Sequence, residues 1–169
     1  LGVIGSGALG QATAQLADAL GMQVIFAERK GASECRPGYV PFEEVLKRSD
    51  ALTLHCPLNK HTQNLIGQAE LQQMKPNAIL INTGRGGLVN EQALVDALKQ
   101  GEIAAAGFDV FTQEPADESN PLIANMGLPN LLLTPHVAWG SDSSIQRLVE
   151  ILIENINAFE RGERINRLV

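Results

Sequence analysis

Three kinds of side chain that can hold an anion or move a proton follow short apolar runs of this chain. His136 stands in Thr134-Pro135-His136, directly beyond Leu131–Leu133. An imidazole titrates near neutral pH, so a histidine at a strand end can serve as a general acid. A carboxylate on its second ring nitrogen would orient it and favour its charged form. Glu114 and Asp109, which follow the run Ile103–Phe108, are both candidates for that partner. A His136 that merely bonds backbone is the plain alternative. Arg85 lies among glycines in Asn82-Thr83-Gly84-Arg85-Gly86-Gly87. That setting suits projection into a cleft better than packing. Its guanidinium fork matches a carboxylate with two parallel hydrogen bonds.

The elements that must position these groups start at Gly5-Ser6-Gly7-Ala8-Leu9-Gly10. An apolar run precedes this stretch, and Leu9, Ala12, Leu16, Ala17 and Leu20 follow with helical periodicity. Strand, glycine turn and helix together are the context of a dinucleotide fingerprint. Gly5 makes the tight turn, Gly7 admits the phosphates, and Gly10 lets the helix pack close to the strand. The helix N-terminus then faces the pyrophosphate. Eighteen positions beyond Gly10, after the next strand, comes Glu28. An acid there accepts hydrogen bonds from the ribose hydroxyls and repels a 2′-phosphate, which predicts NAD over NADP. Arg29 and Lys30 beside it are the opposing signal. His55-Cys56-Pro57 leaves the third strand in a loop expected to lie along the cofactor, whereas His61 in its polar run reads as a surface residue.

The pattern predicts strands at Leu1–Ile4, Met22–Ala27, Ala51–His55, Ala78–Asn82, Ile103–Phe108 and Leu131–Leu133. Helices are expected at Ala8–Leu20, Phe42–Lys47, Gln68–Met74, Glu91–Lys99 and Ser143–Arg161. Asn90 caps the fourth of these and Gly101 stops it. The segments Lys30–Pro41 and Thr112–Pro129 read as irregular. In the last helix Ile145, Leu148, Val149, Leu152, Ile156 and Phe159 form an apolar stripe. Short apolar strands alternating with helices imply an α/β fold, a doubly wound parallel sheet of the Rossmann type. Function is therefore to be sought just beyond the strand ends.

With 169 residues, 44% of them apolar, the chain can bury a sizeable core as one domain. Its net charge of -6 argues against binding a nucleic-acid backbone, and no apolar run is long enough to span a membrane. Cys35 and Cys56 offer neither a metal-ligand spacing nor a disulfide framework, so free thiols in a reducing, cytoplasmic setting are expected. The chain opens at Leu1, already inside a strand, which leads us to expect further sequence upstream.

Taken together, the motifs resemble the nucleotide-binding domain of the D-isomer-specific 2-hydroxyacid dehydrogenases. The similarity runs from the glycine turn through Lys75-Pro76-Asn77-Ala78-Ile79-Leu80-Ile81-Asn82-Thr83-Gly84-Arg85-Gly86. It continues in Asp109-Val110-Phe111 with Glu114-Pro115 and ends in Thr134-Pro135-His136. Glu28-Arg29-Lys30-Gly31 and His136-Val137-Ala138-Trp139 look most like the glycerate dehydrogenases, also called hydroxypyruvate reductases. The resemblance implies that Arg85 binds the substrate carboxylate, His136 donates the proton in reduction, and Glu114 is the histidine's partner. It places Asp109 near the nicotinamide, and has Ala8, Leu9, Cys56, Pro57, Thr83, Gly84, Arg85 and His136 along the NAD cofactor. Many relatives carry arginine and isoleucine at the positions of Ala8 and Leu9. That departure removes one phosphate contact but not the backbone site. In this family an N-terminal substrate domain and a short C-terminal return complete the cleft, and the first of these is expected to be missing from residues 1–169. A homodimer acting on a small 2-keto or 2-hydroxy acid is the expected whole. An NAD(H)-sensing corepressor-like protein and a formate- or phosphite-oxidising relative are the alternative readings.

Overall fold

Apolar runs too short for a helix and bounded by turn residues form the strands of this chain. In the computed structural model, which describes residues 1–167, they are β1 (Gly2–Ile4), β2 (Ile25–Ala27), β3 (Tyr39–Val40), β4 (Ala51–Leu54), β5 (Ile79–Asn82), β6 (Ala105–Phe108) and β7 (Leu131–Leu133). Among the described residues these seven strands make one sheet in the order β3-β2-β1-β4-β5-β6-β7. Every pairing is parallel, as a doubly wound sheet requires. Helices α1 (Ala8–Ala19), α2 (Phe42–Arg48), α3 (Gln68–Leu71), α4 (Glu91–Gln100) and α5 (Pro121–Ala124) lie between the strands. The chain runs from β1 outward to β3, then returns to β4 and proceeds in the other direction. The reversal falls between β1 and β4, the place where such sheets bind ligands beyond their carboxyl ends. Pairing of Ile4 with Leu54 brings Gly5 and His55 together at that crevice.

Parallel strands covered on both faces need apolar side chains at successive positions. Val3, Leu52, Leu54 and Leu80 are accordingly fully buried, each contributing about 1.5–3 kcal/mol of hydrophobic stabilisation. Asn90 caps α4 by accepting from the Ala93 N–H at 3.0 Å, and Gly101 ends it in the left-handed region at φ +69°. Both match the sequence reading.

Three departures have physical causes. The segment Lys30–Pro41, expected to be loop throughout, contributes β3, whose Tyr39 and Val40 pair with Phe26 and Ala27. Two residues between Gly38 and Pro41 are too few to show as an apolar run. The stretch Thr112–Pro129, expected to be irregular, contains α5, which starts at Pro121 beneath an Asn120 cap. In α1 the residues facing the protein are Gly10, Ala14 and Ala17, while Leu9, Leu16 and Leu20 are exposed. At Gly10 the helix touches the Gly5 carbonyl, so no larger side chain fits at that position.

Leu1–Pro135 forms one compact unit and a second begins at His136. The second holds α6 (Asp142–Glu160), capped by Ser141, whose hydroxyl accepts from the Ser144 N–H at 3.2 Å. The apolar stripe expected on this helix is present, and it is exposed from Ile145 to Phe159.

Candidate cofactor and active site

The glycine turn is built by two close approaches. Gly5 has φ +100°, and a Cβ there would strike the His55–Cys56 peptide. A Cβ on Gly10 would collide with the Gly5 carbonyl oxygen, so helix and turn touch backbone to backbone. Gly7 differs. It caps α1 with φ -72°, which any residue adopts, and apart from its chain neighbours no atom of the described residues lies within 4 Å of where its Cβ would stand. Nothing among the described residues demands glycine at that position, and the space is open to a group approaching from outside. The first N–H groups of α1 have no intrahelical acceptors, and no acidic residue neutralises the first turn. A pyrophosphate fits this cradle through backbone donors and the positive helix end. Ala8 and Leu9, which lead the helix, are exposed beside it.

A cavity of about 690 Å³ opens next to the turn, and Gly5, Gly7, Glu28, Arg36, Cys56 and Pro57 are among its walls. Glu28 is nearly buried, at 5% exposure. Its Oε1 accepts from the Arg29 N–H at 2.8 Å and Arg36 Nη2 at 2.9 Å. Its Oε2 accepts from Arg36 Nε at 2.7 Å and the Arg36 N–H at 3.1 Å. The Arg36 guanidinium, aided by the two backbone donors, pulls the carboxyl down to about 2. Across the cleft His55 Nε2 lies 3.1 Å from Thr53 Oγ1, and burial lowers the imidazole's pKa. Burial pushes the half-buried Cys56 thiol up. His61 is exposed and reaches the rim of the same cavity.

The turn carrying Arg85 is held by Asn82, which ends β5 at 1% exposure. Its Nδ2 donates to the Arg85 carbonyl at 2.9 Å and its Oδ1 accepts from the Gly84 N–H at 3.1 Å. Arg85 itself is exposed, with Nη1 donating to the Gly84 carbonyl at 2.7 Å. At Gly86 a Cβ would overlap the Phe111 carbonyl, so the turns after β5 and β6 press directly on each other. Glu91, the first residue of α4, fastens the second of these. It accepts from the Thr112 N–H at 2.7 Å and from Asn120 Nδ2 at 2.8 Å. Glu114 projects from this braced segment, exposed, its Oε1 accepting from the Phe111 N–H at 3.0 Å. Asp109 is 2% exposed and accepts from the Thr134 hydroxyl. Thr83 and Asp109 border a separate apolar hollow of about 360 Å³ on the sheet face. In the second unit His136 is half-buried with φ +55°, a backbone conformation that non-glycine residues seldom adopt. Its carbonyl accepts from Trp139 Nε1 at 2.8 Å.

The profile of a family described as "D-isomer specific 2-hydroxyacid dehydrogenase, NAD binding domain" matches residues 1–138. The chain belongs to this family. Its 2-hydroxyacid dehydrogenase relatives include the glycerate dehydrogenase of Methylorubrum extorquens, 49% identical over 98% of this chain and 51% of that protein. The hydroxypyruvate reductase of Blautia hydrogenotrophica is 42% identical over 98% of this chain and 52% of its own length. Among solved structures, D-lactate dehydrogenase from Lactobacillus jensenii with NAD+ superposes with a TM-score of 0.87 at 37% identity. That match covers 99% of this chain and 54% of the other. The chain thus spans about half the length of the curated dehydrogenases it matches.

Several residues that shape this candidate site lie outside the sequence reading. Arg36 sits eight positions after Glu28 in a loop, and only the folded path back to β3 brings the two together. Tyr39 donates its hydroxyl to Ser6 Oγ at 2.6 Å, tying β3 to the glycine turn. Glu91 reads in sequence as an acid favourable at a helix start, yet both its oxygens bond to the loop of Glu114.

Proposed function

We propose that this chain is the NAD-binding domain, with its C-terminal helix, of an oxidoreductase that interconverts a small 2-keto acid and its D-2-hydroxy acid. Hydroxypyruvate with glycerate and glyoxylate with glycolate are the substrate pairs we favour. The observation that carries this reading is the glycine cradle, where Gly7 keeps clear a space that none of the described residues fills. When bound, the nicotinamide supplies the hydride that reduces the keto carbon. Gly5, Gly7 and Gly10 with the first turn of α1 hold the pyrophosphate, Glu28, Cys56 and Pro57 line the cavity beside it, and the family resemblance puts Thr83 and Asp109, just beyond β5 and β6, toward the nicotinamide. Arg85 binds the substrate carboxylate and stabilises negative charge developing on the carbonyl oxygen, a preorganised electrostatic role. His136 gives its proton to that oxygen, and Glu114 keeps the histidine charged. The family resemblance supports these roles, as does the bracing of the Arg85 and Glu114 turns against each other. We read the whole protein as a cytoplasmic homodimer.

The test is a steady-state assay of the full-length protein with NADH and hydroxypyruvate, glyoxylate or pyruvate. Turnover fastest with hydroxypyruvate or glyoxylate is expected. NADH binding without turnover on any keto acid would instead favour a dinucleotide-sensing protein.

A further inference from the structure

The carboxylate of Glu28 has no acceptor capacity left. An ionised carboxylate offers about four lone-pair positions, and the Arg29 N–H, the Arg36 N–H, Arg36 Nε and Arg36 Nη2 fill four. A ribose hydroxyl therefore gains a bond to Glu28 only if a bond from Arg36 gives way. Arg36 is also held from its other side. Its guanidinium carbon stacks 3.8 Å from the centroid of the Tyr39 ring, and the Tyr39 hydroxyl bonds to Ser6 of the glycine turn. The clasp is thus continuous with the phosphate cradle.

Charge at this end of the cleft follows from the same contacts. Glu28 and Arg36 cancel. Lys30 is committed elsewhere: its Nζ lies 2.8 Å from Glu70 Oε1 and 3.3 Å from the Leu65 carbonyl. Arg29 is exposed, borders the same cavity, and makes no side-chain hydrogen bond or ion pair among the described residues. The balance facing the cavity is one positive charge, not the negative charge that Glu28 alone would present. Arg36 keeps half of its side-chain surface exposed, so its outer face remains open to an incoming anion.

We propose that Arg36 is a specificity-determining residue: by saturating Glu28 it cancels the acid's repulsion and, with Arg29, accepts a 2′-phosphate, so that the protein binds NADPH as well as NADH. This rests on the dinucleotide-binding reading of the site. An arginine near the acid after the second strand is the general means of accommodating a 2′-phosphate. Here the arginine uses the acid as its anchor.

The experiment compares dissociation constants for NADH and NADPH by fluorescence titration of the full-length protein, of Arg36→Met, and of Arg36→Met combined with Glu28→Gln. Wild type is expected to bind the two cofactors within about tenfold of each other. Arg36→Met should shift the ratio toward NADH by about tenfold or more, the scale of a charge-assisted hydrogen bond. Adding Glu28→Gln should bring the ratio back, because the unmasked acid is then gone. NADH binding with an unchanged ratio in Arg36→Met overturns the inference alone. So does a wild type that favours NADH by more than about tenfold, or a double variant that stays shifted. A wild type that binds neither cofactor overturns the proposed function and this inference together.

Discussion

Four donors converge on Glu28, and that one carboxylate gives the molecule a measurable acid response. Its folded pKa, about 2, lies below the ordinary 4.5. The stabilisation it contributes is therefore complete above pH 4.5 and is lost as pH falls toward 2. Urea-unfolding midpoints should place wild type above Glu28→Gln at neutral pH, with the two converging between about pH 4.5 and 2. Curves that stay parallel across that window would mean the clasp contributes nothing. Catalysis offers a second test at this scale. His136→Gln in the full-length protein is expected to lower kcat by roughly 10²–10⁴-fold, as for a lost general acid, with the dissociation constant for NADH little changed. A kcat within a few-fold of wild type would return His136 to a structural role. The left-handed backbone at His136 accords with a functional position, because strained conformations gather at such sites.

At the scale of elements, the glycine turn separates two functions that look alike in sequence. Gly10→Ala should weaken folding and cofactor binding together, because its Cβ meets the Gly5 carbonyl and drives α1 off the turn. Gly7→Ala should leave the thermal midpoint close to wild type and still weaken NADH, because its Cβ enters only the open space where we place the cofactor. Equal losses of stability in the two variants would contradict this division. The strap from α4 invites a different measurement. Glu91→Ala strips acceptors from the Thr112 N–H and from Asn120, the latter 8% exposed. Each unsatisfied buried group costs about 1–3 kcal/mol, read as a drop in unfolding free energy in urea titrations. A change below about 0.5 kcal/mol, the usual range for surface substitutions, would show that water replaces Glu91.

Across the whole molecule, what sequence reveals depends on how local the determining contacts are. The strand-turn-helix of residues 1–20 is legible because each glycine acts on neighbours in the chain or on the strand beside it. The Asn90 cap and Gly101 stop of α4 are legible for the same reason. The Glu28–Arg36 clasp is not, since it needs the Gly38 turn and the pairing of Tyr39 with Phe26 to close it. Nor does the periodicity of α1 reveal its inner face, which tertiary packing gives to Gly10, Ala14 and Ala17. Family membership identifies an NAD-binding domain, and our proposal adds that Arg85, Glu114 and His136 serve a hydroxy acid. The most direct test offers D-glycerate and L-glycerate separately to the full-length protein with NAD+ and follows the appearance of NADH. Reduction of NAD+ by the D isomer alone is predicted; oxidation of the L isomer, or of neither glycerate nor any other D-2-hydroxy acid, would contradict the account.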